Sequence, residues 1–262
     1  MIRATIGIFS QGGVAVDADA QAFFDRVDTA GGTLSETEQE AVNRLVIDMK
    51  ADGIWTKMKA IYPMVGASAA ACSQNLKSSS FTGSFSTGWT FSSTGVTGDG
   101  SSTFMDTLLQ PNVAMNFNSQ SYFIYKQSVQ SATVAEFGVN DGSFSGINMY
   151  LNNGYNTINE FVLGGTFTSS TIAGAYILNR HNSNDKQLFR NGTLFETRTS
   201  VATNYTLDNL YLGGRNVAGS LQPTNTQTRF FSIGDGLTND EADDFYTAVQ
   251  AFQTTLGRAI AP

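Results

Sequence analysis

The sequence predicts a mainly β protein: an antiparallel sandwich with a small helical region before it and one helix after it. Charged residues make up only 14% of the 262 residues, whereas glycines number 26 and aromatic residues reach 11%. Small polar and aromatic residues in these proportions are typical of sheets joined by tight turns. Short segments of alternating polarity recur over about 150 residues with Gly/Asn-rich turns between them. Helical spacing is confined to the flanking regions.

The N-terminal region begins with a short apolar segment, residues 2–9, which predicts a strand. Helical spacing starts after Asp17, and the Asp17 side chain can cap the first helix. Gly31 and Gly32 are expected to end that helix.

A second helix is expected to begin at Ser35, because Ser35 and Glu38 have the spacing of a capping box. The run after Gly53 predicts a third, short helical turn that ends before Pro63. These segments carry one apolar stripe: Val42, Leu45, Val46, Met49, Trp55 and Met58. Because short helices have little core of their own, we expect this stripe and residues 2–9 to be buried partly against another chain. The alternative is that the β sandwich of the same chain covers it.

Residues 64–80 are rich in Ala, Ser and Gly, and they predict a linker or an irregular crossing strand. This divides the chain into a helical docking region, residues 1–65, and a sandwich domain, residues 66–262. Within the sandwich, "QLFRNGTLFE" is a strong hairpin signal. Asn191 and Gly192 favour the positive φ angles that a type I′ turn requires.

The stretch "FFSIGDGLTNDEADDFYTAVQ", residues 230–250, contains five carboxylates within ten residues. Thr238 and Glu241 again have capping-box spacing, and apolar residues follow with a helical period. Acidic side chains in the first turns of a helix are stabilised by the positive end of its dipole. We therefore interpret these carboxylates as the start of an exposed helix and not as a metal or acid/base site.

Composition argues against several classes of function. The net charge is −7 and the 15 basic residues are scattered, whereas phosphate binding needs a basic cluster, so we expect no nucleic-acid partner. No segment approaches the ~18 apolar residues of a membrane span, and "MIRATIGIF" is too short an apolar run for a signal peptide. We expect a soluble protein made in the cytosol. The single cysteine, Cys72, is expected to be a buried, inert thiol.

The motifs of common catalytic sites are missing from the sequence. His181 is the only histidine and lies in a polar turn, which argues against a histidine-based triad. One histidine and one cysteine cannot dominate a zinc site. Ser145 stands in the fourth position of "GSFSG", unlike the hydrolase nucleophile elbow, and "GDGSS" lacks the lysine of a phosphate-binding loop. We predict no catalytic residue and no cofactor, with calcium left open.

The order of the later segments resembles a known family. "AYILNRHNSNDKQLFRNGTLFETRT", "NLYLGGR" and "FFSIGDGLTNDEADDFY" resemble the last part of concanavalin A-like, laminin-G-like jelly rolls. The segments "DADAQAFFDRV", "SETEQEAVNRLVIDMKADGIWTKMKAIYPMVG" and "GWTFSSTGVTGDGSSTFMDT" resemble bacteriophage virion proteins, which place a small helical region before such a jelly roll. The resemblance implies two twisted antiparallel sheets, with carbohydrate binding in many members and glycan cleavage in some. It also implies a place on a phage tail, fibre or capsid surface, contacts with other virion proteins, and a homo-oligomer such as a trimer.

Three functions stay open on this basis. The first is a non-enzymatic structural or decoration protein of a tailed phage, which displays a carbohydrate- or host-surface-binding jelly roll on the virion. The second is a glycan-degrading enzyme that uses two facing carboxylates, with Glu136 and Glu160 as candidates. The E-x-D-x-x-E arrangement of family glucanases is missing from the sequence, which argues against this enzyme. The third is a purely structural capsid or tail component without a ligand.

Calcium binding is suggested by the resemblance, because several such jelly rolls hold calcium through loop oxygens. The candidates are Asn140, Asp141, Asn184 and Asp185. The alternative is that these residues form ordinary Asx-type turns, which need Asn, Asp and Gly in any case.

A ligand face is predicted around "INMYLNNGYNTINEF". Alternation puts Tyr150 opposite Met149, and because Met149 prefers the core, Tyr150 is expected to face outward. Sugars stack on exposed aromatic rings, while amide side chains bind their hydroxyl groups. We therefore expect Tyr150, Asn152 and Tyr155 to contribute to a shallow carbohydrate site. The alternative is an ordinary hairpin whose tyrosines cover its edge.

Overall fold

The computed structural model describes residues 14–127, 135–140, 142, 146–150, 155–158, 161–164, 173–199 and 208–261. Within these residues two β-sheets pack face to face, and helices cover the outer face of one of them. We call the helix-covered sheet sheet A and the other one sheet B.

Sheet A has eight strands among the described residues. Seven of them form a continuous row, in the spatial order β13 (Thr193–Thr199), β12 (Asp185–Arg190), β11 (Gly174–Arg180), β6 (Gln120–Lys126), β17 (Gln227–Gly234), β4 (Gly95–Thr97) and β3 (Thr90–Ser92). The eighth, β1 (Met58–Tyr62), pairs with β17 beside β4. All of these pairings are antiparallel.

Sheet B is built mainly from antiparallel pairs as well. Its row of strands is β10 (Phe161–Gly164), β9 (Tyr155–Ile158), β8 (Gly146–Tyr150), β7 (Phe137–Asn140), β14 (Tyr211–Leu212), β5 (Met105–Asp106) and β2 (Ser84–Phe85). A hairpin of β15 (Gly214–Val217) and β16 (Ser220–Pro223) joins this sheet through a parallel pairing of β15 with β7.

Three longer helices form the layer on sheet A: α1 (Ala18–Thr29), α2 (Glu36–Ala51) and α5 (Asn239–Thr255). Two single-turn helices, α3 (Ala69–Cys72) and α4 (Pro111–Ala114), lie in connections. The predicted helix starts are confirmed: Asp17 caps α1, and both predicted capping boxes form at the starts of α2 and α5. None of the described helices is long and apolar enough to cross a membrane.

Two hydrophobic clusters hold the three layers together. The first lies between the helices and sheet A and includes Phe123 and Tyr125 of β6. The second lies between the two sheets and includes Tyr122 and Ile124 of the same strand. Because both faces of sheet A are covered, the middle of β6, residues 122–125, is a continuous hydrophobic run and not an alternating one. Within the described residues, the outer face of sheet B is the sheet surface without a helical layer.

The predicted fold class, a mainly β antiparallel sandwich with helices before and after it, is confirmed. The predicted hairpin is confirmed too, because Asn191 and Gly192 have φ angles of 47° and 77° and connect β12 with β13. Glycine tolerates this left-handed conformation without strain, and Asn is the next most tolerant residue.

The predicted third helical turn is largely wrong. Residues Trp55–Lys57 form one turn of 3-10 helix, and β1 begins directly after it. Ile61 of β1 packs in the cluster under the helices, whereas Tyr62 packs between the sheets. A strand that is buried on both faces carries apolar residues at nearly every position, and such a run also contains helical spacing.

The apolar stripe predicted to dock onto another chain is buried inside this chain. It belongs to the cluster between the helices and sheet A, where α2 packs against α5. Trp55 is the most exposed member at 6%. The correction concerns all six stripe residues, namely Val42, Leu45, Val46, Met49, Trp55 and Met58. Since the whole stripe is already buried, it offers no exposed apolar surface on which another chain could dock. The alternative, that the same chain covers the stripe, describes the structure. Residues 2–9 lie outside the described residues.

The region before residue 66 is joined to the sandwich by more than the apolar cluster. The strand β1 belongs to sheet A. The buried guanidinium of Arg258 donates hydrogen bonds to the carbonyl oxygens of Pro63 and Met64, each at 2.8 Å. These contacts attach the predicted docking region, residues 1–65, to the sandwich at the end of β1.

Candidate functional site

The outer face of sheet B carries a row of mostly polar residues that are register partners on neighbouring strands. From β2 to β8 the row runs through Ser84, Asp106, Tyr211, Gly138 and Asn148. The next row faces sheet A and is apolar: it consists of Phe85, Met105, Leu212, Phe137 and Met149. The polar row is accessible only at its β2–β5–β14 end, where Ser84 is exposed and Asp106 and Tyr211 are half-buried, whereas Gly138 and Asn148 are buried. This end of the outer face is therefore the part that can contact water or a ligand.

Two aromatic rings form the centre of this face at its β5–β14 end. Phe104 stands two residues before Asp106 and therefore on the same face. The rings of Phe104 and Tyr211 stack with centroids 4.4 Å apart and an interplanar angle of 17°. Both side chains are half-buried. We call Phe104 and Tyr211 the aromatic platform.

Polar groups beside the platform are held in fixed positions. Asp106 accepts a hydrogen bond from the Asn209 side-chain amide at 3.1 Å and another from the backbone N–H of Leu108 at 2.8 Å. Burial raises the pKa of the Tyr211 phenol, and the nearby carboxylates of Asp106 and Asp208 raise it further. Tyr211 therefore stays a neutral hydroxyl that can donate a hydrogen bond throughout the physiological pH range.

The predicted ligand residue Tyr150 lies on the same face, but it does not face solvent. Its side chain is only 7% exposed, and the guanidinium of Arg215 lies 5.4 Å from the ring centroid. Alternation correctly placed Tyr150 opposite the core residue Met149. The outward exposure is wrong because Arg215, from the β15–β16 hairpin, lies over this part of the face, and a hairpin from a distant segment is invisible to local periodicity.

The other two predicted ligand residues are less informative. Tyr155 lies in β9 and pairs in register with Tyr150. Asn152 lies outside the described residues.

The calcium candidates take part in turns. The side-chain oxygen of Asn140 accepts a hydrogen bond from the backbone N–H of Gly142 at 2.8 Å. Asn184 and Asp185 donate their backbone N–H groups to the Asn182 side chain, at 2.8 and 2.7 Å. These are Asx-type turns, which is the alternative that the sequence left open. Asp141 lies outside the described residues, and no cluster of three or more His, Cys, Asp or Glu side chains that could hold a metal ion occurs within them.

Of the two glutamates considered for glycan cleavage, Glu136 lies among the described residues. Glu136 is buried and forms an ion pair with Lys126, and the hydroxyl of Thr226 donates to it. Glu160 lies outside the described residues. A buried carboxylate that is paired with a lysine of its own chain is not positioned to act on a sugar in an open groove.

Two further residues singled out by the sequence have local roles. His181 is half-buried at the end of β11, with Nδ1 3.1 Å from the side-chain oxygen of Gln187. The Cys72 thiol donates to the Val65 carbonyl at 3.3 Å, and burial raises its pKa to about 12. The predicted burial of Cys72 is confirmed.

The clustered carboxylates before and within α5 are confirmed as a helix start. Thr238 and Glu241 form the capping box. Glu241 also pairs with Lys57 at 2.5 Å, and Asp235 pairs with Lys59 at 2.9 Å. These ion pairs fasten the start of α5 to the segment around β1.

Comparison with known proteins identifies the architecture. No protein-family model matches the sequence, and no curated protein matches it either. Domain 4 of AbnA, a GH43 extracellular arabinanase from Geobacillus stearothermophilus solved in complex with arabinotriose, has a similar structure, with a TM-score of 0.54 and 12% identity. The similarity covers 72% of this chain and 98% of that domain. The chain has a jelly-roll fold.

A second structure supports the same architecture. The botulinum neurotoxin serotype D binding domain matches with a TM-score of 0.51 and 10% identity, over 74% of this chain and 52% of that one. At these identities the similarity concerns the fold alone. In this chain α1, α2 and α5 cover the outer face of sheet A.

The aromatic platform escaped the sequence interpretation because its parts are far apart in the chain. Phe104 and Asp106 come from "TFMDTLL", whereas Asn209 and Tyr211 come from "NLYLGG". Both segments alternate between outward and core-facing residues, which is a signal that period-2 counting finds. Only the pairing of β5 with β14 shows that the two outward sets meet.

Proposed function

We propose that this chain is a non-enzymatic carbohydrate-binding module whose ligand lies on the outer face of sheet B, across the aromatic platform. The observation that carries the proposal is the stacked pair Phe104–Tyr211 beside the hydrogen-bonded pair Asp106–Asn209. Rings offer a surface for the C–H groups of a sugar, while a carboxylate and an amide bind its hydroxyl groups. The position of this set on the sheet face without a helical layer also supports ligand access.

The glycan-degrading alternative has less support. Catalysis by two carboxylates requires both groups in one groove, with room for the sugar between them. Of its two candidates, the one that can be described, Glu136, is engaged with Lys126. The proposal therefore assigns binding without cleavage.

The proposal places this module on the particle of a tailed phage, as a virion structural or decoration protein that contacts a host-surface glycan. The support for this part is the resemblance of the helical region and of "GWTFSSTGVTGDGSSTFMDT" to phage virion proteins. Mass spectrometry of purified particles tests it: the protein should be found among the virion components. A particle preparation without it would overturn the assignment.

The binding test uses the full chain against a panel of neutral and acidic oligosaccharides that includes arabinotriose. Isothermal titration then measures the affinity for any glycan that is retained. Tyr211→Ala and Phe104→Ala should each weaken binding roughly tenfold or more, because each removes a stacking surface.

The matched control is Tyr246→Ala, which removes a half-buried tyrosine from α5 on the helical side of the molecule. It should leave the affinity unchanged. A wild-type chain that binds nothing on the panel would overturn the proposal, and so would platform variants that bind as well as wild type.

A further inference from the structure

The edge strand β13 is unusually exposed. In β6 and β11 every residue is buried, whereas six of the seven residues of β13 are exposed and Glu196 is half-buried. Among the described strands, β12 is the one that pairs with β13. An exposed edge strand presents backbone N–H and C=O groups to which another strand can add.

Apolar side chains are exposed on the same strand. Leu194 is 39% exposed and Phe195 is 46% exposed, and the two are adjacent. The other large hydrophobic residues exposed in the described part of the chain stand singly, at Val14, Leu108 and Val113. A pair of exposed apolar residues on a sheet edge is typical of a surface that another chain covers.

The charges of β13 are self-complementary. Glu196 and Arg198 are two residues apart on one face, with Oε1 and Nε 2.5 Å from each other. If the strand pairs antiparallel with a second copy of itself about Thr197, each Glu196 lies opposite an Arg198. A register centred on Glu196 or on Arg198 would instead put like charges directly opposite each other, which is unfavourable.

We propose that β13 pairs antiparallel with β13 of a second copy of this chain, centred on Thr197, and that this pairing forms a homodimer. A twofold axis then passes through the strand pair, and sheet A continues from one subunit into the other. This twofold pairing differs from the trimer that the phage resemblance suggested. It leaves the outer face of sheet B free, so the dimer is independent of the proposed carbohydrate site.

The test measures the oligomeric state of the full chain by analytical ultracentrifugation over a wide concentration range. The wild type should be a dimer. Glu196→Arg and Arg198→Glu should each weaken self-association roughly tenfold or more, because each variant places like charges opposite each other at two positions. An equimolar mixture of the two variants should dimerise again, since the arginine-only strand then faces the glutamate-only strand.

Further variants and a folding check complete the experiment. The exchanged variant Glu196→Arg/Arg198→Glu should be a dimer, and Val113→Ser, which removes an exposed apolar side chain far from β13 in sequence, should dimerise like the wild type. Phe195→Lys should dissociate the dimer independently of the charge pairs. Thermal unfolding verifies that every variant is folded.

Two results would overturn the proposal. The first is a wild type that stays monomeric at all concentrations, which would mean that the charged residues Glu196 and Arg198 prevent pairing at this sheet edge. A wild type whose association is unchanged in both charge variants would place the interface elsewhere.

Discussion

Lys126 and Glu136 form an ion pair that connects the two sheets and is closed to solvent. Lys126 is the last residue of β6 in sheet A, and Glu136 directly precedes β7 in sheet B. Their side chains are 0% and 2% exposed. The hydroxyl of Thr226 donates to the same carboxylate. Each charge therefore depends on the other, because neither has water to solvate it.

Removal of one partner of this pair should be severely destabilising. Glu136→Gln or Lys126→Met should lower the free energy of unfolding by about 3–5 kcal/mol, because each leaves an uncompensated charge between the sheets. The double variant Lys126→Met/Glu136→Leu should be closer to wild type than either single variant. Urea denaturation gives these values.

A surface pair provides the control for that prediction. Lys57 and Glu241 also form an ion pair, but their side chains are 29% and 22% exposed. Lys57→Met should cost about 1 kcal/mol or less. Equal losses in the free energy of unfolding for the surface pair and the buried pair would contradict the dependence on burial.

Gly213 and Gly219 have similar backbone φ angles, but the space available for a Cβ atom differs between them. Their φ angles are 76° and 86°, which disfavour residues with a Cβ atom. A Cβ at Gly213 would overlap the ring of Trp89, whereas one at Gly219 has no atom within 4 Å. Gly219→Ala should cost roughly 1 kcal/mol from backbone strain, and Gly213→Ala about 2 kcal/mol more from the clash. Denaturant unfolding measures both, and equal losses would argue against tight packing of Trp89.

Alkaline pH should destabilise the fold through Cys72. Burial raises the pKa of its thiol from 9.0 to about 12. The unfolded chain loses this proton near pH 9, while the folded chain keeps it until about pH 12, so the stabilisation is complete below pH 9. Between these values the free energy of unfolding should fall by about 1.4 kcal/mol per pH unit.

Cys72→Ala isolates this effect, because tyrosines such as Tyr176, whose pKa burial raises to about 12, titrate in both proteins. The variant should be less stable at pH 8, since it loses buried contacts, yet its stability should decline less steeply above pH 9. Urea denaturation at a series of pH values provides the two slopes. Parallel profiles for the two proteins would contradict the assignment.

The capping box of α5 should make a measurable contribution to stability. Thr238 accepts from the backbone N–H of Glu241 at 3.2 Å, and Glu241 accepts from that of Thr238 at 2.7 Å. Thr238→Ala should cost about 1 kcal/mol. Thr254→Ala, an exposed position near the other end of α5, serves as the control and should change stability by less than half of that. A larger loss of stability for Thr254→Ala than for Thr238→Ala would contradict the capping role.

Local signals in the sequence were sufficient for elements that are stabilised locally. The capping boxes at Ser35 and Thr238 and the turn at Asn191 each depend on residues within a few positions of one another. The physical reason is that a cap or a tight turn is satisfied by its own neighbours in sequence.

The spacing of apolar residues was not sufficient to predict the structure where a residue is buried by segments that are distant in sequence. Met58 and Ile61 carry an apolar spacing that a helix and a doubly covered strand share, and only the pairing with β17 decides between them. Tyr150 was placed on the correct face, but its cover by Arg215 depends on a hairpin more than sixty residues away. The aromatic platform likewise exists only because β5 and β14 are neighbours in the sheet.

The central position of β17 in sheet A has a consequence for biosynthesis. This strand lies between β6 on one side and both β1 and β4 on the other. Lys59 and Asp235, which pair across the end of the β1–β17 ladder, are 176 residues apart in sequence. Until the ribosome has released residues 227–234, β1 and β4 cannot pair with β17. Their apolar side chains therefore stay without this partner strand in the nascent chain. The strands β6, β11, β12 and β13 pair with one another and can do so before β17 is made. Sheet A is completed only after β17 has been synthesised, and the long-range pairing of β17 with β1 makes that step slow.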